Sequence, residues 1–164
     1  ITEETPSSRR DFRRLVPFTE PATYFTTSSG GIGWSLPAAV GVALGDRENG
    51  TRRHVVAVIG DGSFQYTPQA LWNAAQLKLP VVFLILRNGS YAILKSFAQA
   101  QGSGGVPGLD LPGLDIVALA KGYGCPARRV TTREEVEEAL TTAFASAGPT
   151  VIDAQVAEVI PKLV

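Results

Sequence analysis

The chain has 164 residues, is 45% hydrophobic and carries no formal net charge, which is enough apolar material for one packed domain and leaves no excess charge to attract a polyanion. No basic cluster exceeds the pairs Arg9-Arg10 and Arg13-Arg14, which argues against a nucleic-acid partner, and no apolar run of about 18 residues or charged leader supports a membrane span or a signal peptide. A single thiol, Cys125, excludes an internal disulfide, so a cytoplasmic location is the expectation.

The sequence contains no methionine, so Ile1 reads as an internal position of a longer polypeptide. The expectation is one domain over residues 1–164, belonging to a protein with further domains.

In chain order, Ser7 to Leu15 reads as a helix carrying the paired arginines, Thr23 to Thr26 as a short strand, and Ser35 to Leu44 as a helix. The apolar runs Val55 to Ile59 and Val81 to Leu86 read as strands buried on both faces, with Thr67 to Leu77 as the helix between them. From 98 to 114 the composition turns to Gly, Ser and Pro, with Pro-Gly-Leu-Asp written twice. This stretch is either an ordered loop over a site or a solvated connection. Asp115 is placed to cap a helix reaching about Lys121, and Ala127 to Val130 reads as a strand. Thr132-Arg133-Glu134-Glu135 has capping-box spacing for a helix to Ser146. Gly148-Pro149 stops that helix, and Thr150 to Val156 is a closing strand. Alternating strands and helices predict an α/β fold, a doubly wound, mainly parallel sheet with helices on both faces. His54 reads as an edge residue at a strand start, Cys125 as a buried structural thiol, and Trp34 and Trp72 as packing residues.

Gly60-Asp61-Gly62-Ser63 directly follows the first buried strand, and Asn88-Gly89-Ser90-Tyr91 follows the second, with Asn88 27 residues beyond Asp61. Parallel strands joined by a right-handed crossover open their following loops on the same sheet edge, which brings Asp61 and Asn88 together. A carboxylate and an amide oxygen, with a backbone carbonyl nearby, are hard donors suited to Mg²⁺, which completes its shell with water and phosphate oxygens. Glycines around Asp61 and at position 89 let backbone N–H groups close on a diphosphate. Taken alone, Gly60-Asp61-Gly62 is a strand-ending turn. The Asn88-Gly89 partner and the segment Gly30-Gly31-Ile32-Gly33 weight it toward a site.

On these residues the chain resembles the thiamine diphosphate-dependent 2-oxo acid decarboxylase family, whose signature is Gly-Asp-Gly followed at this spacing by Asn. The resemblance covers the whole chain and is to the C-terminal, diphosphate-binding domain. Ser29 to Ala39, Asn88 to Phe97 and Val106 to Asp115 carry a finer similarity to the benzoylformate decarboxylase branch. The resemblance implies thiamine diphosphate and Mg²⁺ as cofactors, with Asp61, the Asn88 side chain and the Ser90 carbonyl as metal ligands. It implies that Gly60, Gly62, Ser63, Gly89 and Tyr91 surround the diphosphate, aided by the positive end of the helix after Ser63. Thr5 falls where the family places a further cofactor contact. Gly30, Gly31 and Ile32 would lie against the bent cofactor, Ile32 as the wedge between its rings and the Gly30 carbonyl as acceptor for the aminopyrimidine amino group. Those two residues would be this domain's share of cofactor activation. Phe97 would line a pocket for an aryl substrate. The implied reaction is decarboxylation of a 2-oxo acid, first of all benzoylformate to benzaldehyde and carbon dioxide, with the cofactor as electron sink.

Some positions depart from the family pattern. Arg87 stands where many members have a second Asn, Ala92 replaces a glycine, and Ile32 replaces a Leu and suits pyruvate or indolepyruvate decarboxylases as well. The glutamate that activates the pyrimidine belongs to a separate domain, and the decarboxylase histidines are absent, His54 being the one histidine. The chain alone is therefore expected to be inactive. Its expected partners are a small 2-oxo acid and a pyrimidine-binding domain of the same or a neighbouring chain, within a homodimer or homotetramer. An acetolactate synthase-like enzyme is the alternative within the family, and a non-catalytic cofactor-binding or interaction module the alternative outside it. A dinucleotide-binding domain fails on spacing, because Gly31-Ile32-Gly33-Trp34-Ser35-Leu36 lacks the third glycine of that fingerprint.

Overall fold

The computed structural model describes residues 1–163. Among them β1 (Thr2–Glu4), β2 (Phe25–Thr26), β3 (Val55–Gly60), β4 (Val81–Arg87), β5 (Ala127–Val130) and β6 (Thr150–Gln155) form one sheet in the order β2-β1-β3-β4-β6-β5. Every pairing is parallel. The helices are α1 (Arg9–Leu15), α2 (Ser35–Glu48), α3 (Asp61–Phe64), α4 (Ala70–Gln76), α5 (Ala92–Ala100), α6 (Ile116–Gly122) and α7 (Arg133–Phe144). None is long and apolar enough to cross a membrane.

A strand covered on both faces needs apolar residues at nearly every position, and β3 and β4 have them. On one face Leu36 and Ala39 of α2, Leu71 and Ala74 of α4 and Ile116 of α6 pack with Ile59 and Phe83. On the other, Ala139 and Ala143 of α7 pack with Val82, Ile152 and Ala154. This is the doubly wound architecture expected from the alternation, with an entirely parallel sheet.

The chain leaves β1 for β2 on one side and returns through α2 to β3 on the other. The strand order therefore reverses between β1 and β3, and the crevice at the carboxyl ends of such a pair is where open α/β sheets take ligands. Glu4 is the register partner of Ile59, so Thr5 emerges beside Gly60. Gly60 in turn pairs with Leu86, so the loops carrying Asp61 and Asn88 emerge side by side.

Several elements differ from expectation. Thr2-Glu3-Glu4 is polar, yet it is an internal strand with all three residues buried, because both glutamates find donors. The helix expected from Thr67 to Leu77 is shorter, α4 spanning Ala70–Gln76, and a separate four-residue helix, α3, begins at Asp61 itself. Thr67 lies outside both, its hydroxyl donating to the Gly33 carbonyl at 2.8 Å. α5 forms where no element was expected. Trp72 is 52% exposed rather than packed.

Candidate functional site

A cavity of about 690 Å³ opens at the carboxyl ends of β1, β3 and β4. Thr5 reaches it from β1, and Gly30 and Ile32 from the loop before α2. Gly60, Asp61, Gly62 and Ser63 come from the β3–α3 junction, Asn88, Ser90 and Tyr91 from the loop after β4, and Phe97 from α5. Gly31 and Gly89 are not among the lining residues.

Asp61 is 2% exposed. Its Oδ1 accepts from the Gly62 N–H at 2.9 Å and its Oδ2 from the Gly89 N–H at 2.7 Å. The second bond ties the carboxylate to the residue after Asn88. It also means that the Gly89 N–H, expected to face a diphosphate, is engaged by Asp61 instead. Burial raises the Asp61 carboxyl above its ordinary value, and the pull of the Gly89 and Gly62 N–H groups and of Arg87 does not overcome it.

Asn88 Oδ1 accepts from the Ser90 N–H at 3.2 Å, a local turn that suits this residue type. The loop is then clamped by the stretch beyond α5. Tyr91 N–H donates to the Leu109 carbonyl at 2.9 Å and Leu111 N–H to the Gly89 carbonyl at 2.8 Å. The Ser90 carbonyl, between them, accepts no hydrogen bond among the described residues. Both readings of the Gly/Pro-rich stretch thus hold in part. Residues 101–108 are exposed, while Leu109 to Leu111 are anchored against the Asn88 loop.

One buried carboxylate, one amide oxygen and one unengaged carbonyl make a sparse oxygen set. Among the described residues no three His, Cys, Asp or Glu side chains form a metal cage. Such a set fits Mg²⁺, which keeps water and phosphate oxygens in its shell, better than a cation that needs a full protein cage. Close approach also requires glycine here. A Cβ on Gly62 would lie 2.5 Å from Tyr91 Cε1, and one on Gly33, at φ +99°, 2.7 Å from Tyr66 Cβ.

Sequence reasoning missed the two glutamates of β1. Glu4 Oε1 accepts from the Gly33 N–H, and its Oε2 from the Trp34 and Ser35 N–H groups at 2.9 and 2.8 Å. These are the orphan donors where α2 begins, so Glu4 holds the Gly30-to-Gly33 loop against the neighbouring strand. Glu3 Oε1 accepts from the Thr5 N–H and hydroxyl, and its Oε2 accepts from the Arg9 Nε at 3.0 Å and the Tyr24 hydroxyl at 2.8 Å. Burial works to raise the Glu3 carboxyl, but the Thr5 and Tyr24 hydrogen bonds and the Arg9 charge leave it below its ordinary value. Nothing local in Thr2-Glu3-Glu4 signals this burial, because the donors that satisfy the two carboxylates include groups more than twenty positions away.

Arg87 does not line the cavity. Its Nε donates to Asp153 Oδ1 at 2.8 Å, and Arg129 Nε donates to the other oxygen of that fully buried carboxylate at 2.8 Å. Tyr91 is half-buried and Phe97 is 48% exposed, so neither is a plain core aromatic. His54 packs on Phe144 with ring centroids 5.0 Å apart, at the end of β3 remote from Asp61.

The chain matches the family described as thiamine pyrophosphate enzyme, C-terminal TPP binding domain, over residues 6–154. It is 45% identical over 153 residues to a benzoylformate decarboxylase of Pseudomonas aeruginosa, covering 93% of this chain and 28% of that protein. To an acetolactate synthase large subunit of Haemophilus influenzae it is 36% identical over 130 residues, covering 78% of this chain and 22% of that protein. The crystal structure of a benzoylformate decarboxylase from Polynucleobacter necessarius superimposes with a TM-score of 0.96 at 42% identity, over 99% of this chain and 30% of that one. The chain spans less than a third of the length of these relatives. A family match that runs from just after β1 almost to the end of β6 leaves one assignment: the chain belongs to the thiamine pyrophosphate enzymes, as their C-terminal cofactor-binding domain.

Proposed function

We propose that this chain is the diphosphate- and Mg²⁺-binding domain of a non-oxidative aryl 2-oxo acid decarboxylase acting on benzoylformate. The rest of a longer polypeptide, or a second copy in a dimer or tetramer, supplies the pyrimidine-binding domain. The observation that carries this reading is the Asp61–Gly89 hydrogen bond, which sets a buried carboxylate beside the Asn88 turn at the mouth of one cavity. Asp61, the Asn88 amide oxygen and the Ser90 carbonyl hold the metal. Gly60, Gly62, Ser63, Tyr91 and Thr5 surround the diphosphate. Gly30, Gly31 and Ile32, held from behind by Glu4, shape the bend of the cofactor. Phe97 offers an aromatic wall, with Ile32 and Leu94 as apolar neighbours in the same lining. When bound, thiamine diphosphate supplies an electron sink that lets a 2-oxo acid release carbon dioxide.

Calorimetric titration of the full-length protein with thiamine diphosphate, with and without Mg²⁺, tests the cofactor site. Binding should require the metal, and Asp61→Asn should weaken it at least about 10-fold, the value of one lost charge-assisted interaction. Metal-independent binding, or an Asn variant that binds as well as the parent, would overturn the site. Substrate is tested separately by comparing benzoylformate, pyruvate and indolepyruvate. A clear preference for pyruvate would replace the aryl assignment. The similarity to an acetolactate synthase supports a second reading, in which two pyruvates give a condensed product, and product analysis separates it from simple decarboxylation.

A further inference from the structure

We propose that Arg9 is an oxyanion-binding residue of the cavity, taking either the terminal phosphate of the cofactor or the carboxylate of the 2-oxo acid; this rests on the function proposed above. Three charged side chains line the cavity: Glu4, Arg9 and Asp61. The two carboxylates are already occupied by backbone N–H groups. Among the described residues Arg9 is the only cationic side chain in the lining.

Its guanidinium is held by one edge. Nε donates to Glu3 Oε2 at 3.0 Å, while Nη1 and Nη2 donate to nothing among the described residues. The anchor is rigid, because Glu3 is fully buried and also accepts from Thr5, Tyr24 and Thr26. The arginine side chain is 28% exposed. A planar fork fixed at Nε and unpartnered at both Nη groups is preorganised for the paired oxygens of a carboxylate or phosphate. Ser7, two residues earlier and also in the lining, accepts from the Ile93 N–H at 3.2 Å and keeps its own proton to donate.

Charge balance points the same way. A diphosphate and the Asp61 carboxylate together carry more negative charge than one divalent cation cancels, and a 2-oxo acid adds another. Without Arg9 an anionic ligand would enter a cavity whose remaining fixed charges are both negative.

The test uses the full-length protein with Mg²⁺ and the variants Arg9→Met and Arg9→Lys. Calorimetry gives the Kd of thiamine diphosphate and of thiamine, which lacks the phosphates, and steady-state kinetics at saturating cofactor give KM and kcat for benzoylformate. If Arg9 takes the phosphate, the Met variant loses about 10- to 100-fold in thiamine diphosphate affinity with thiamine affinity unchanged, and Lys recovers part of it. If it takes the carboxylate, cofactor affinity is unchanged and KM for benzoylformate rises by a similar factor, more than kcat falls. Equal weakening toward thiamine and thiamine diphosphate, or no change in any constant, overturns the proposal and leaves Arg9 as a structural partner of Glu3. Should the Met variant fold poorly because Glu3 is left charged, Glu3→Gln with Arg9→Met removes both charges, and the same comparisons are read against Glu3→Gln alone. A parent protein that fails to bind thiamine diphosphate would instead sink the function on which this inference rests.

Discussion

Glu3 and Glu4 are neighbours on one strand, so their side chains leave opposite faces, and both are fully buried. Burying a carboxylate is tolerable only where donors meet its oxygens. Glu4 meets three N–H groups, of which Gly33 belongs to the loop carrying Ile32. Glu4→Gln would set an amide NH₂ against one of those donors and should lower stability by about 1–3 kcal/mol. It should also speed hydrogen exchange at residues 33–35 more than elsewhere, and uniform exchange rates would deny Glu4 its hold on that loop. Glu3 makes a pH prediction. Its carboxyl sits below the ordinary value of 4.5 in the folded chain, so its ionised form favours folding. That stability is complete above the unfolded value and is lost as pH falls through the folded one. Urea unfolding of the parent and of Glu3→Gln should therefore differ by a constant amount near neutrality and converge below about pH 4.5. The difference cancels Asp61, whose raised carboxyl is common to both. A gap that widened on acidification would contradict the sign.

At the scale of elements, legibility followed distance along the chain. The cap of α6 was readable because Asp115 needs only to reach Ala118, which it does at 3.0 Å. The capping box of α7 was readable for the same reason, with Thr132 accepting from the Glu135 N–H and Glu135 accepting from the Thr132 N–H, each at 3.2 Å. Thr132→Ala should cost about 1 kcal/mol of stability, measurable as a lowered urea midpoint with unchanged m-value. No shift would mean that α7 is held by its packing on the sheet alone. The juxtaposition of the Asp61 and Asn88 loops was also legible, since two buried strands and one crossover fix it without any side-chain detail. β1 was not, because its burial depends on Glu4 meeting residues some thirty positions away. Nor was α5, whose Leu94 and Phe97 are 46% and 48% exposed and line a cavity instead of the core. An apolar stripe of that kind has no inward partner from which a helix could be inferred. The late start of α4 was not legible either, since Thr67 at the expected start bonds the Gly33 carbonyl, 34 positions away.

Across the whole molecule, the main core and the cavity share the same strands. Ile59 is buried in the core one residue before Gly60 and two before Asp61, and Phe83 and Ile85, just upstream of Asn88, belong to the same cluster as the buried residues of α2, α4 and α6. A site built on strand ends of this kind should open only when the sheet does. Cys125 offers a probe of that coupling. It is 1% exposed, its thiol donates to the Leu71 carbonyl at 3.4 Å, and burial pushes its pKa up to about 11. A thiol reagent at pH 8 thus meets a protected and largely protonated sulfur, and labelling must wait for the core to open. If core and site form one cooperative unit, Mg²⁺ with thiamine diphosphate at about 100 times its Kd should slow labelling by about 100-fold, because ligand is lost whenever Cys125 is exposed. The matching urea dependence below the transition should approach the m-value of global unfolding. Labelling that ignores the cofactor would place the opening in the α4–α6 side alone, and would separate the stability of this core from that of the strand ends that carry Asp61 and Asn88.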